Sequence, residues 1–91
     1  MNKANLIERL AKQANISKTQ SENFLNATLE IIQSSVSSGE EVKLVGFGTF
    51  DKSQRKPRKG RNPKTGVEVK IPATAVPRFR PGKEFRSLVS N

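Results

Sequence analysis

The segment from Lys52 to Lys64 holds seven of the chain's seventeen basic residues, Lys52, Arg55, Lys56, Arg58, Lys59, Arg61 and Lys64, and no acid. That density asks for a polyanion as ligand. It also constrains the fold, since the stretch Lys52 to Ala75 has little to bury. Within it, Asn62-Pro63-Lys64-Thr65-Gly66 joins turn formers to a glycine and reads as a tight reversal between two extended runs. On the return run Val67, Val69 and Ile71 alternate with Glu68 and Lys70, the period of a strand. The outgoing run from Arg55 to Gly60 lacks that alternation and contains Pro57. A two-stranded ribbon with one thin apolar stripe is marginal in water, so the segment is expected to form an arm that projects from a body and settles on its ligand.

If about twenty-four residues form the arm, roughly sixty-seven remain for a core, a size at which one core supplies little net stability. The 91 residues make one domain and include no Cys, so disulfides cannot help; a partner chain is the remaining source of stability. With neither His nor Cys, the usual proton shuttle, imidazole metal ligand and thiol nucleophile are missing, and no pair of acids forms a plausible dyad. The reading is a protein that is not an enzyme and carries no cofactor or metal. Residues 1 to 51 carry five basic and six acidic side chains, residues 52 to 91 twelve and two. The first half is therefore scaffold and the second half meets the ligand. No apolar run approaches the ~18 residues of a membrane span, and the N-terminus lacks a signal-like apolar core, so the expectation is a soluble intracellular protein.

Taken in order, Ala4, Leu6, Ile7, Leu10, Ala11 and Ala14 fall at helical spacing over Lys3 to Ala14, with Asn2 as N-cap and Asn15 closing. Ser17 and Gln20 have capping-box spacing and open a second helix, expected from Lys18 to Ser38 and ended by Gly39. Its apolar residues Phe24, Leu25, Ala27, Leu29, Ile31, Ile32 and Val36 cover more than the first helix can hide, which points to an interface. Val42 to Val45 reads as a short strand. Gly46 and Gly48 then permit a bend around Phe47, with Phe47 and Phe50 assigned to the core, and Phe47 and Phe79 read as core rather than as base-stacking platforms. Val76 to Arg80 places Arg78 and Arg80 on one side, toward the ligand, and Phe79 on the other. Pro81-Gly82 opens a last helix, Lys83 to Val89, whose N-terminus with Lys83 is a candidate phosphate site.

The motifs Val45-Gly-Phe-Gly-Thr-Phe50, Gly60-Arg-Asn-Pro-Lys-Thr-Gly66, Ile71-Pro-Ala73 and Phe79-Arg-Pro-Gly-Lys83 resemble the bacterial histone-like DNA-bending family of HU and integration host factor, and the likeness runs the length of the chain. The resemblance implies an α+β fold: a helical base (1–39), a small antiparallel sheet or saddle (40–51 and 76–81), a protruding β-hairpin arm (52–75) and a C-terminal helix (82–90), in an intertwined dimer. It implies a nucleoid-associated cytoplasmic protein that binds double-stranded DNA with little sequence specificity, bends it through the minor groove, and compacts it. This family is itself a standard example of minor-groove architectural binding. Pro63, compact, apolar and without an N–H, is the intercalating wedge; Arg58 and Arg61 suit the negative minor groove.

The full DNA-binding set is Lys3, Gly46, Gly48, Lys52, Arg55, Lys56, Arg58, Lys59, Arg61, Asn62, Pro63, Lys64, Lys70, Arg78, Arg80 and Lys83. Phe24, Leu29, Ile32, Leu44, Phe47, Phe50 and Phe79 form the dimer core. Ser53 and Ala75 stand where a basic residue is often found, and Arg78 is an additional cation that compensates. The short ends and Ile71-Pro-Ala73 favour an HU-like homodimer over one subunit of a sequence-preferring heterodimer. Bent, nicked or gapped DNA is the expected preferred partner. A basic RNA-binding protein would carry the same charge, but a wedge-tipped arm suits helical RNA less well.

Overall fold

The computed structural model describes residues 1–55, 58–61, 68–71 and 74–90, and divides the chain into two compact units, Met1–Ser34 and Ser35–Asn91. The first unit holds helix α1 (Lys3–Ala14) and most of α2 (Lys18–Ser37); the second holds strands β1 (Val42–Leu44), β2 (Gly48–Arg55), β3 (Arg58–Arg61), β4 (Glu68–Ile71) and β5 (Thr74–Pro81), then helix α3 (Lys83–Val89). The class is α+β, with three helices and a small antiparallel sheet.

Local hydrogen bonding sets the helix limits. The Asn2 side chain accepts from the Asn5 N–H at 2.9 Å, and the Asn5 side chain accepts in return from the Asn2 N–H at 3.2 Å. This satisfies two of the donors a helix start leaves unpaired. Asn15 ends α1 in the left-handed region, φ 56°, with its N–H on the Ala11 carbonyl. Two residues on, Ser17 and Gln20 repeat the reciprocal box at 3.1 and 3.3 Å and start α2.

At the far end of α2, Gly39 has φ +95°, the Gly39 N–H donates to Val36 and the Glu40 N–H to Ser35. That pair of bonds is a Schellman closure. The expected end at Ser38 falls one residue late, because Ser38 turns its hydroxyl onto the Ser35 carbonyl. A third terminal carbonyl, that of Ser37, accepts from Lys52 Nζ at 3.1 Å.

In the second unit the sheet order is β1-β2-β5, all antiparallel. The first strand stops at Leu44 rather than Val45, because Phe47 donates back to the Leu44 carbonyl and Gly46 takes φ +85°, leaving Val45 exposed in the turn. Strand β5 lies at an edge, which is where a strand tolerates Pro77.

Phe47, Phe50, Phe79 and Phe85 gather on one side, with centroid separations of 4.8 Å for Phe50–Phe79 and 5.3 Å for both Phe47–Phe79 and Phe47–Phe85. Gly48 is buried against this cluster. A Cβ there would stand 2.6 Å from the Phe79 ring and 2.7 Å from the Arg80 carbonyl, so only glycine lets β2 approach β5 this closely.

The sheet extends further than composition suggests. Strands β2 and β5 stay paired to Arg55↔Thr74, so Lys52 to Arg55, Thr74 and Ala75, assigned to the arm on sequence, belong to the three-stranded sheet. Beyond it, β3 and β4 form a separate two-stranded antiparallel ladder, Arg58↔Ile71 to Arg61↔Glu68. The outgoing run pairs as the hairpin reading expects although it lacks apolar alternation, since backbone pairing does not need it.

Among the described residues only Ala11 and Val36 are buried hydrophobic side chains, and Ser21 is a fully buried polar one. The Ser21 hydroxyl has no hydrogen-bond partner among the described residues. An unpaired buried hydroxyl costs about 1–3 kcal/mol, so Ser21→Ala is expected to stabilise the protein by about 1 kcal/mol and raise the thermal midpoint by roughly 4–8 °C. Calorimetry checks this; a lower midpoint would mean that the hydroxyl is satisfied in solution.

Candidate nucleic-acid interface

The basic run is laid out along paired strands. Lys52 and Arg55 stand on β2, Arg58, Lys59 and Arg61 on β3, Lys70 on β4, and Arg78 and Arg80 on β5, while Lys3 and Lys83 are the first residues of α1 and α3. The β3–β4 register sets Lys59 directly opposite Lys70. Like charges in that relation are destabilising unless an anion lies between or beside them. Lys56, Asn62, Pro63 and Lys64 fall outside the described residues.

Several cations expected to meet a ligand are already engaged. On β5, Arg78 faces Asp51 across the ladder and grips it with two bonds, Nε to Oδ1 at 2.8 Å and Nη2 to Oδ2 at 3.0 Å. Arg80 Nη2 reaches the same Oδ2 at 2.8 Å and Glu41 Oε2 at 3.4 Å. The Asp51 side chain is only 13% exposed, whereas Arg78 and Arg80 remain 48% and 52% exposed. One covered carboxylate thus holds two guanidiniums by their inner edges and leaves roughly half of each in solvent. Two cations two residues apart on a strand share a face, and Asp51 offsets their repulsion.

Five of the sequence-predicted positions also have a role within the fold. Arg78 and Arg80 lie on one side of β5 as expected, but as members of an ion cluster rather than free cations. Lys52 caps the end of α2. Gly48, placed in the DNA-binding set, is buried, and its demonstrated requirement is close packing beneath Phe79. Gly46 supplies the positive φ of the β1–β2 turn, where a Cβ would press on Glu84 Oε2 at 2.9 Å.

Sequence reasoning missed Asp51 and Glu41. The available signal was Asp51 itself, the lone acid between Glu41 and Glu68 at the head of the basic run. Among the described residues no group of three or more potential ligands could hold a metal, and no helix is long and apolar enough to cross a membrane.

The cluster gives acid sensitivity a definite sign. The hydrogen bond from Arg78, reinforced by the charges of Arg78 and Arg80, holds the Asp51 carboxyl below its ordinary value of 3.8 despite partial desolvation. A carboxylate with a depressed folded-state pKa stabilises the fold fully above the unfolded value and loses that contribution as pH falls through the folded value. The stability difference between the wild type and Asp51→Asn should be level from about pH 7 to 5 and shrink as pH drops below about 4. Thermal unfolding of both proteins across that range checks it; a difference unchanged at the acid end would remove the ion cluster as its source.

A small α+β scaffold whose strands carry a paired cationic ladder defines a class of polyanion-facing proteins, and the comparisons give the class its family. The sequence matches the profile of the bacterial DNA-binding protein family over residues 1–90. It is 50% identical over 90 residues to the DNA-binding protein HU of Nostoc sp., covering 99% of this chain and 96% of that protein. With HU of Pasteurella multocida it shares 49% over 89 residues, covering 98% and 99%.

Among solved structures, the Anabaena HU–DNA cocrystal structure superposes with a TM-score of 0.89 at 50% identity, covering 99% of this chain and 98% of that one. HU from Thermotoga maritima gives 0.70 at 32%, covering 98% of each. The chain belongs to the HU-like, bacterial histone-like family. That is a non-enzymatic family, in keeping with a chain that has neither His nor Cys.

Proposed function

We propose that this protein is a nucleoid-associated architectural protein that binds double-stranded DNA with little sequence specificity and bends it. The observation that carries the reading is the full-length likeness to a protein crystallised with DNA, in a chain whose cations are concentrated on the strands from β2 to β5. In this reading the β3–β4 ladder, with Arg58, Lys59, Arg61 and Lys70, enters the minor groove. The intervening segment carries Asn62, Lys64 and the wedge Pro63, which unstacks a base step. Arg55, Lys56, Lys3 and Lys83 meet phosphates. If about six to ten phosphates are contacted, affinity falls about 10³- to 10⁵-fold between about 50 and 200 mM salt.

The functional unit is a homodimer. In the single chain Phe24 and Ile31 of α2 are 59% and 64% exposed, and Leu29, Leu44, Phe47 and Phe79 are also exposed. A chain this small that leaves so many large apolar side chains uncovered gains its missing core from a second copy. Dilution should therefore unfold the protein as it dissociates, with no folded monomer at micromolar concentration by sedimentation and circular dichroism. A stable folded monomer would contradict the shared core.

Bending is tested by comparing, at one salt concentration, an intact mixed-sequence duplex with the same duplex nicked at its centre. Tighter binding to the nicked form is expected, because a nick lowers the deformation energy. Pro63→Ala should keep most of the salt-dependent affinity and reduce the bend measured by fluorescence energy transfer. Equal affinity for both duplexes would leave a protein that holds DNA without bending it.

A further inference from the structure

Arg80 holds two carboxylates of unequal quality through one atom. Its Nη2 lies 2.8 Å from Oδ2 of Asp51, a covered carboxylate also gripped by Arg78, and 3.4 Å from Oε2 of Glu41, whose side chain is 54% exposed. The first contact has the length of a strong charge-assisted bond and the second does not. Glu41 lies just before β1, while Arg80 lies near the end of β5, on the far side of β2. Neither helix periodicity nor cross-strand register fixes Glu41 on Arg80. The contact is a long-range one between two half-exposed side chains, the kind that contributes little to stability and exchanges readily.

We propose that Glu41 is an exchangeable internal anion: it occupies the outer position on Arg80 in the free protein and yields that position to a backbone phosphate when DNA is bound, while Asp51 stays in place and keeps both guanidiniums oriented. The inference rests on the DNA-binding reading above and adds a residue that sets affinity without touching DNA. Both groups are planar oxyanions to a guanidinium, but a phosphate that remains part of a polyanion arrives with neighbouring phosphates already held by other cations, so it competes at high local concentration. Asp51, covered and held by three bonds, has no comparable route of exchange. Glu41 is a competing residue whose removal should help binding, whereas Asp51 is the positioning residue and its removal should loosen the site.

Glu40 supplies the internal control. It is the adjacent acid, exposed, and among the described residues its side chain makes no ion pair, so Glu40→Gln changes the net charge equally without touching Arg80. Equilibrium binding of a 30-base-pair mixed duplex would be measured over a salt series for wild type, Glu40→Gln, Glu41→Gln, Arg80→Gln and the Glu41→Gln/Arg80→Gln double variant, with thermal unfolding of each. Glu41→Gln is expected to tighten binding about two- to fivefold for each copy of Glu41, with unchanged thermal stability. It should exceed Glu40→Gln, and the excess should vanish in the Arg80→Gln background.

Equal effects of the two glutamate substitutions, or an excess that survives without Arg80, would overturn the exchange and leave only general charge. Weaker binding by Glu41→Gln would overturn it in the other direction, making Glu41 an orienting group. If wild type fails to bind the duplex at all, the DNA-binding reading fails first and takes the exchange with it; wild-type binding with an inert Glu41 sinks the exchange alone.

Discussion

The pairing of β2 with β5 is the constraint on which the second unit depends. Its register sets Phe50 opposite Phe79 and, one step along, Asp51 opposite Arg78. Successive side chains of a strand point to opposite faces, so the aromatic pair and the ionic pair occupy the two sides of one ladder. A slip by one residue would exchange them, bringing carboxylate and guanidinium into the phenylalanine cluster. The packing of Phe79 over the buried Gly48 therefore fixes more than close contact. It determines which cations stand together on the opposite face, and hence the electrostatics offered to a polyanion.

The first unit shows the complementary economy. Two capping boxes, one left-handed asparagine and a Schellman closure at the end of α2 define the helices almost entirely through neighbours in sequence. Such contacts specify where helices begin and end, yet each is worth only about 0.5–2 kcal/mol. Burial must supply the rest, and within one chain only Ala11 and Val36 are buried hydrophobic side chains among the described residues. Local signals thus make the pieces, and a second copy is the proposed source of the core that holds them. The exposed tilt of apolar surface toward α2 and the phenylalanine strands follows from that division of labour.

The same distinction explains what could be read from the amino-acid sequence. Asn2, Asn15, Ser17 with Gln20, and Gly39 act on residues within a few positions, and their roles were legible from spacing alone. Residues whose roles depend on the sheet were not. The pairing of Arg55 with Thr74, which continues the β2–β5 ladder into the segment read as arm, could not be seen until the register was known. Gly48 was legible as a bend around an aromatic, but that its missing Cβ makes room for the ring of Phe79 was not. The cations were counted correctly as charges, but which of them were committed to Asp51, Glu41 or the Ser37 carbonyl is a matter of geometry between residues far apart in the chain.

Acids inside a polyanion-binding face need a physical reason, and the two halves of the cationic surface supply it by contrast. Arg78 and Arg80 sit two residues apart on one face, about 7 Å by strand geometry. Their repulsion is weak through bulk water and grows where solvent is partly excluded. The largely covered carboxylate of Asp51 bonds both guanidiniums and offsets that repulsion. Lys59 and Lys70 are register partners on the β3–β4 ladder, where Glu68, the one acid in either strand, is the register partner of Arg61. One part of the surface is thus neutralised from within and held in geometry before any ligand arrives. On the β3–β4 ladder the register sets no acid opposite Lys59 or Lys70.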